Sequence, residues 1–391
     1  MQRCATHAPT TAAHFPLARV KLFRSGYDDQ KLSVLLGLWA GLSNDPLLVG
    51  LSADCVEHGP QGCGHPTHIA DVRKPVQVFL IMGQSNTLEM GKVRGGEGSL
   101  EHAVREEGLY PFLLDDAGGW ATRRDVRNVH VMGSGGPAKS RLRRNDWLTV
   151  ASKKIGIEQG IGHRLGDAID APVLILKSSI GNRSLGWDLL PPGSGSYEFT
   201  DPKDGKTYVY AGFGQSPLRW EKGSEPEPIG WSAGLQYTGD VARAKAVLKD
   251  LGKYYPGATK YEVKGFLWWQ GDKDRYNAGH AAKYGENLVR LVAALRKEFD
   301  APDAKFVCAT LGQTDKDAAA GNEKRILEGM FALSDAKQNP ALQGAVATVY
   351  THPLSMGSSS NAHYGGNAKT YMNVGLAMGA AMVELLGVAG R

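Results

Sequence analysis

From residue 75 onward, short apolar runs rich in β-branched and aromatic residues alternate with amphipathic stretches. The first run is Val76-Gln77-Val78-Phe79-Leu80-Ile81-Met82. Val173-Leu174-Ile175-Leu176, Val263-Lys264-Gly265-Phe266-Leu267-Trp268-Trp269 and Phe306-Val307-Cys308-Ala309-Thr310-Leu311 follow it. Nearly continuous apolar runs of this length suit strands buried on both faces, as in a parallel sheet. Between them the period changes. Val241, Ala244, Val247 and Leu248 predict a helix over 238–252, and Leu288, Leu291, Val292 and Leu295, opposite Lys283, Arg290 and Arg296, predict another over 280–298. The Ala- and Gly-dense stretch 371–386 predicts a last helix that packs closely against a sheet. Strand alternating with helix predicts an α/β fold with a central parallel sheet and right-handed crossovers, whose site lies at the carboxyl ends of the strands. Two long Gly/Pro-rich stretches, 110–150 and 190–236, read as loop insertions that shape the mouth of that site. There is no internal repeat.

Residues 1–74 read differently, as a leader ahead of a single domain over 75–391. An apolar segment, Leu32 to Leu42, follows Arg19, Lys21, Arg24 and Lys31. Its length suits a signal-peptide core and is too short for a membrane span. The reading is an imperfect export signal, so the expected location is periplasmic or secreted. Cys55, His58, Cys63, His65 and His68 then fall within fourteen residues. This spacing fits no closed zinc site, and a Gly/Pro/His-rich linker is the favoured reading, with a Cys55–Cys63 disulfide left open.

Composition narrows the class. Hydrophobic residues are 42% and charged residues 22% of the 391, which excludes a wholly disordered chain. Fifty glycines without a Gly-X-Y period exclude collagen and point to many tight turns or close backbone approaches. Four cysteines exclude a disulfide-built scaffold. The net charge of +5 demands no nucleic-acid partner. Arg123, Arg124, Arg127, Lys139, Arg141, Arg143 and Arg144 cluster, but with acidic residues interleaved and only Trp147 nearby they read as a solvated face.

The chemistry-bearing residues fall where strands end. Gly83-Gln84-Ser85-Asn86 follows the first strand, where a glycine permits a sharp turn and a serine stands exposed beside free backbone N–H groups. Ile180-Gly181-Asn182-Arg183 follows the Val173 strand, and Trp268-Trp269-Gln270-Gly271-Asp272 ends the Val263 strand. A glutamine amide there is suited to donating to an oxyanion, and the paired tryptophans read as core or as a sugar-stacking wall, with core the default for one of the two. Asn361-Ala362-His363-Tyr364-Gly365-Gly366 places a histidine just before the last helix, suited to a general base. A rival, Gly230-Trp231-Ser232-Ala233-Gly234, matches the nucleophile elbow G-x-S-x-G. The Pro- and Glu-rich stretch before it cannot be a buried strand, so this match reads as chance.

These blocks, in this order over about 76–388, resemble the SGNH/GDSL hydrolase superfamily. The G-Q-S-N and W-x-Q-G-D forms are similar to its sialate O-acetylesterase-like branch of carbohydrate esterases. The resemblance implies a three-layer α/β/α, flavodoxin-like fold and a serine esterase that removes O-acetyl groups from carbohydrate. It implies Ser85 as nucleophile, His363 as general base, and an oxyanion hole of the Ser85 and Gly181 N–H groups with the Gln270 amide. It implies no cofactor and no metal, and an acetylated carbohydrate as partner. Asn86, Asn182, Arg183, Asp188 and Trp269 are weaker candidates for substrate contact. Relatives commonly carry Asp three residues before the histidine, where this chain has Ser360. Asp272 is then the expected orienting acid, with a backbone carbonyl as the alternative. The missing Asp also admits a non-catalytic carbohydrate-binding member of the same fold.

Overall fold

The computed structural model describes residues 69–388. The leader's apolar segment, the export expectation and the Cys55/Cys63 pair all lie outside the described residues. In chain order the strands are β1 (Val76–Gly83), β2 (Gly91–Lys92), β3 (Arg123–Met132), β4 (Arg141–Leu148), β5 (Lys154–Ile155) and β6 (Val173–Ser178). They continue with β7 (Tyr197–Thr200), β8 (Thr207–Tyr210), β9 (Arg219–Glu221), β10 (Tyr261–Trp269), β11 (Lys305–Ala309) and β12 (Val346–Val349). The α-helices are α1 (Leu100–Arg105), α2 (Glu158–Ala168), α3 (Leu235–Lys249), α4 (Leu251–Tyr254), α5 (Ala278–Glu298), α6 (Gly321–Ser334) and α7 (Ala368–Leu386).

Seven strands form the central sheet in the order β12–β11–β10–β1–β6–β3–β4. Every neighbouring pair is parallel except β3 with β4. The predicted α/β class and central parallel sheet are therefore observed. β1 sits between β6 and β10, so the chain crosses over β1 when it passes from one half of the sheet to the other. That is the switch point at which α/β sheets open a crevice at their carboxyl ends.

Alternation along the strands explains the two cores. Val76, Val78, Leu80 and Met82 of β1 join Phe266 and Trp268 of β10 on one face, against Tyr237, Val241 and Val247 of α3 and Leu288, Leu291 and Leu295 of α5. Phe79, Ile81, Leu267 and Trp269 face the other way, against Ile161 and Leu165 of α2 and Tyr371, Val374 and Met378 of α7. Cys308 on β11 is fully buried, as its place in an apolar run implies. The last helix is close-packed as expected, but its glycine face approaches α2 rather than the sheet. A Cβ on Gly375 would sit 2.4 Å from the Ile157 carbonyl oxygen.

One expectation is corrected here. The stretch 110–150 is not a loop insertion, because it supplies β3 and β4 to the central sheet. The arginines hid the strand. Arg123 and Arg127 are buried rather than solvated. Arg123 is paired with Asp125 and Asp167, and Arg127 lies over the Trp147 ring at 4.8 Å and donates to the Tyr254 carbonyl. Charge compensated in this way is tolerated inside a sheet layer. Arg141 and Arg143 are exposed along the edge strand β4, where charge discourages pairing with another chain. The stretch 190–236 does stand apart, as a small antiparallel sheet β7–β8–β9.

Gly375→Val is expected to destabilise the fold by about 1–3 kcal/mol, the ordinary range for overpacking. A lowered urea midpoint with an unchanged slope is the expected reading. A wild-type midpoint would mean that α2 and α7 separate freely.

Candidate active site

Four chain segments meet where β1, β6 and β10 end. β1 stops at Gly83, whose φ of +142° and whose missing Cβ both matter. A Cβ there would stand 2.5 Å from the Trp269 carbonyl oxygen, so only glycine lets the ends of β1 and β10 touch. The chain then makes a single 3₁₀ turn, Ser85–Thr87, with Ser85 half-buried. Behind it the Thr87 hydroxyl donates to the Gln84 carbonyl at 2.7 Å and meets the Ser179 hydroxyl at 2.7 Å. That second contact ties the serine turn to the loop after β6. Gly181 of that loop lies directly against the serine, since a Cβ on it would be 3.4 Å from the Ser85 Cβ. Asn182 follows with a left-handed φ of 58°. The N–H groups of Ser85 and Gly181 donate to no protein acceptor among the described residues.

A cleft of about 350 Å³ opens at this point. Ser85, Gly181, Asn182, Asp272, Ser360 and His363 line it, with Lys273 and Tyr276 at the same opening. Five of the residues singled out in the sequence thus meet in one cavity, although they span almost the whole described chain. His363 reaches it from a turn of unusual backbone. His363, Tyr364 and Gly365 have φ of 50°, 54° and 67°, all left-handed. Tyr364 anchors that turn, buried with its ring 5.8 Å from Trp269 and nearly parallel to it.

His363 forms no ion pair with Asp272 among the described residues. Asp272 instead accepts the Ser360 hydroxyl at 2.9 Å and lies 2.8 Å from Arg275 Nε. The serine that stands where relatives carry Asp is thus bound to the carboxylate of Asp272, delivered from the end of β10.

Several expectations, the Gln270 oxyanion donor first among them, are corrected. Gln270 is buried and does not line the cleft. Its amide nitrogen points to the Arg183 carbonyl at 2.8 Å, to Asp274 at 2.6 Å and to the Gln84 side-chain oxygen at 3.2 Å. Three acceptors share two hydrogens, which leaves none for an oxyanion. Trp269 is fully buried and donates its ring N–H to the Thr310 carbonyl, so it offers no face to a sugar. Asn86 is buried beneath the serine turn. Arg183 stands one step back, over the Trp231 ring at 5.1 Å and bonded to Ser134 and Gln236. Asp188 accepts from the Ser184 N–H and hydroxyl, and so braces its own loop. Ser232 follows no strand, which removes the nucleophile-elbow reading.

Asp274, two residues past Asp272, carries no local mark of its role in the sequence. It is fully buried and accepts from the N–H groups of Leu185 and Gly186 at 2.9 and 2.8 Å as well as from Gln270. It therefore clamps the Gly181 loop to the end of β10. Burial lifts its pKa from 3.8 to about 6, although the three hydrogen bonds pull it down. Lys273 and Tyr276, both exposed at the cleft, also escaped notice, because nothing local in the sequence marks a side chain as facing a cavity.

Because its folded pKa is raised, Asp274 contributes stability that is present below 3.8 and lost as pH rises through about 6. Asp274→Asn is expected to abolish that part of the pH dependence. It also opposes three donors with one acceptor oxygen and an NH₂ group, a loss of about 1–3 kcal/mol. Urea midpoints across this range test both points, and parallel profiles for variant and wild type would reject the clamp.

Residues 207–384 match the family model described as carbohydrate esterase, sialic acid-specific acetylesterase. The match runs from β8 into α7 and includes Gln270, Asp272 and His363, while Ser85 and Gly181 precede it. No curated protein matches the chain. Among solved structures, a protein of Arabidopsis thaliana is 17% identical, with 80% of this chain and 99% of that one covered and a TM-score of 0.43. A carbohydrate acetylesterase from Xanthomonas citri is 16% identical, with 78% of this chain covered and a TM-score of 0.45, and this chain spans only 56% of that one.

Proposed function

From the match of residues 207–384 to that carbohydrate-esterase family model, we propose that the chain removes O-acetyl groups from carbohydrate through an acetyl-serine intermediate. The observation that carries this reading is the convergence of Ser85, Gly181 and His363 on one cleft, with two backbone N–H groups beside the serine that no acceptor among the described residues uses.

In the proposed reaction the Ser85 hydroxyl attacks the acetyl carbonyl carbon while the His363 imidazole takes its proton. The carbonyl oxygen becomes an oxyanion held by the N–H groups of Ser85 and Gly181. As the tetrahedral intermediate collapses, the C–O bond to the sugar breaks and His363 returns the proton to the leaving hydroxyl. Water, deprotonated by His363, then attacks the acetyl-serine carbonyl; the bond to Ser85 Oγ breaks, His363 returns the proton to Oγ, and acetate leaves. Gln270 is a brace behind the Gly181 loop, not a donor in the hole. Asp272 acts on His363 through Ser360, which lies three residues earlier on the same turn. Asn182, Lys273 and Tyr276 are the side chains available to the sugar. The apolar segment 32–42 supports export as the accompanying reading of location.

Hydrolysis of an aryl acetate, and acetate release from acetylated xylan, mannan, pectin and sialic acid, are the assays. Ser85→Ala and His363→Ala are each expected to lose at least about 10³-fold in kcat, and Ser232→Ala to keep wild-type activity. Full activity in Ser85→Ala would overturn the mechanism. Inactivity of the wild type on every substrate would favour a carbohydrate-binding module instead.

Asp272→Asn keeps an acceptor for Ser360, so a loss of only about tenfold is expected, against ~10⁴ where a triad acid is removed from its histidine. A loss of the larger size would place the Asp272 carboxylate on the imidazole during turnover.

A further inference from the structure

Beneath the serine turn lies a buried charge cluster that the proposed mechanism does not use. Residues 84–90 run along the cleft with Gln84, Ser85, Leu88 and Met90 lining it. Thr87 and Glu89 point the other way. Glu89 Oε1 lies 3.1 Å from Lys177 Nζ and 3.2 Å from His130 Nδ1. Lys177, on β6 two residues before Ser179, is fully buried, and its Nζ also meets Glu158 Oε2 at 2.7 Å. Glu158 opens α2 and accepts the Gly156 N–H at 2.8 Å through its other oxygen. Gly156 closes the cluster from below, since a Cβ on it would stand 2.4 Å from Glu158 Oε2 and 3.0 Å from the Leu88 carbonyl.

Buried ion pairs contribute little net stability, because the desolvation of both charges offsets their attraction. Their geometry is another matter: a desolvated charge tolerates no displacement from its partner, whereas apolar packing adapts. We infer that Glu89 and Lys177 are positioning residues for the esterase reaction, fixing the Ser85 turn to the end of β6 and so setting the distance between the nucleophile and the Gly181 N–H. The inference rests on Ser85 being the nucleophile. Two ties, Thr87 to Ser179 and Glu89 to Lys177, hold the turn to alternate positions of the segment that becomes the Gly181 loop. The Lys177 ammonium holds the Glu89 carboxyl well below its ordinary range despite burial, which agrees with a carboxylate kept ionised.

The experiment compares Glu89→Ala, Glu89→Gln and Gly156→Ala in the full chain on an aryl acetate, with Ser85→Ala alongside and melting temperatures recorded. Lys177 keeps Glu158 as a partner in the Glu89 variants, so both are expected to fold. Glu89→Ala is expected to lose about 10- to 100-fold in kcat with KM unchanged, the range for residues that orient a reacting group. Glu89→Gln, which restores an acceptor for Lys177, is expected to recover most of that loss, and Gly156→Ala to lower kcat through the same crowding. Wild-type kcat in Glu89→Ala overturns the inference. So does a loss that follows the melting temperature and that Glu89→Gln does not repair, since that marks a merely structural role. Activity retained in Ser85→Ala is the separate failure, and it strikes the choice of nucleophile.

Discussion

The stack of Tyr364 on Trp269 is the contact on which the cleft depends. Two successive non-glycine residues, His363 and Tyr364, adopt left-handed backbone, which costs roughly 1–2 kcal/mol each. Burial of the Tyr364 ring supplies about 1.5–3 kcal/mol, and a well-placed aromatic pair about 0.5–1.5 kcal/mol more. These are of the same size, so the turn holds while the ring stays under Trp269 and Tyr371. The same turn aims His363 at a cleft lined by Ser85. Trp269 is thus better understood as the floor of the histidine turn than as a wall for sugar.

Around this aromatic floor, buried polar groups fix the remaining loops. Gln84 accepts from Gln270 and from the Lys273 N–H, joining the turns after β1 and β10. Asp274 joins the loop after β6 to the same place. A second chain of bonds runs from Asp240 through Gln236 to Arg183, beside Asn182 at the mouth. Asp240 is buried and raised to about 7, with Arg243 as its countercharge. In each case a carboxylate or amide too deep for water holds a loop by several directed bonds, which tolerate less displacement than apolar contact does. Backbone N–H groups can then stay unpaired at the cleft without the loops collapsing onto them.

Much of this was legible in the sequence. The four principal strands and the long helices follow from hydrophobic period, because burial on one face or two is recorded locally, residue by residue. Gly83, Ser85, Gly181 and His363 stand out because turns at strand ends and helix starts need particular residue types. β3 was not legible, since the buried arginines of its pattern look solvated until their partners Asp125, Asp167 and Trp147 are in place.

By itself the sequence determined the α/β order, the strand ends at which chemistry sits, and the likeness of residues 207–384 to a carbohydrate-esterase family. Only the tertiary structure decided which polar side chains face the cleft and which face away from it. Gln270 turns inward because its amide meets Asp274, four residues on, together with the Arg183 carbonyl, 87 residues earlier in the chain, and Gln84, 186 residues earlier. Asp272 reaches Ser360 across 88 residues and accepts its hydroxyl. A side chain's direction is set by the nearest partner in space. That partner is fixed by the sheet order, in which β1, β6 and β10 lie side by side although they are far apart in the chain.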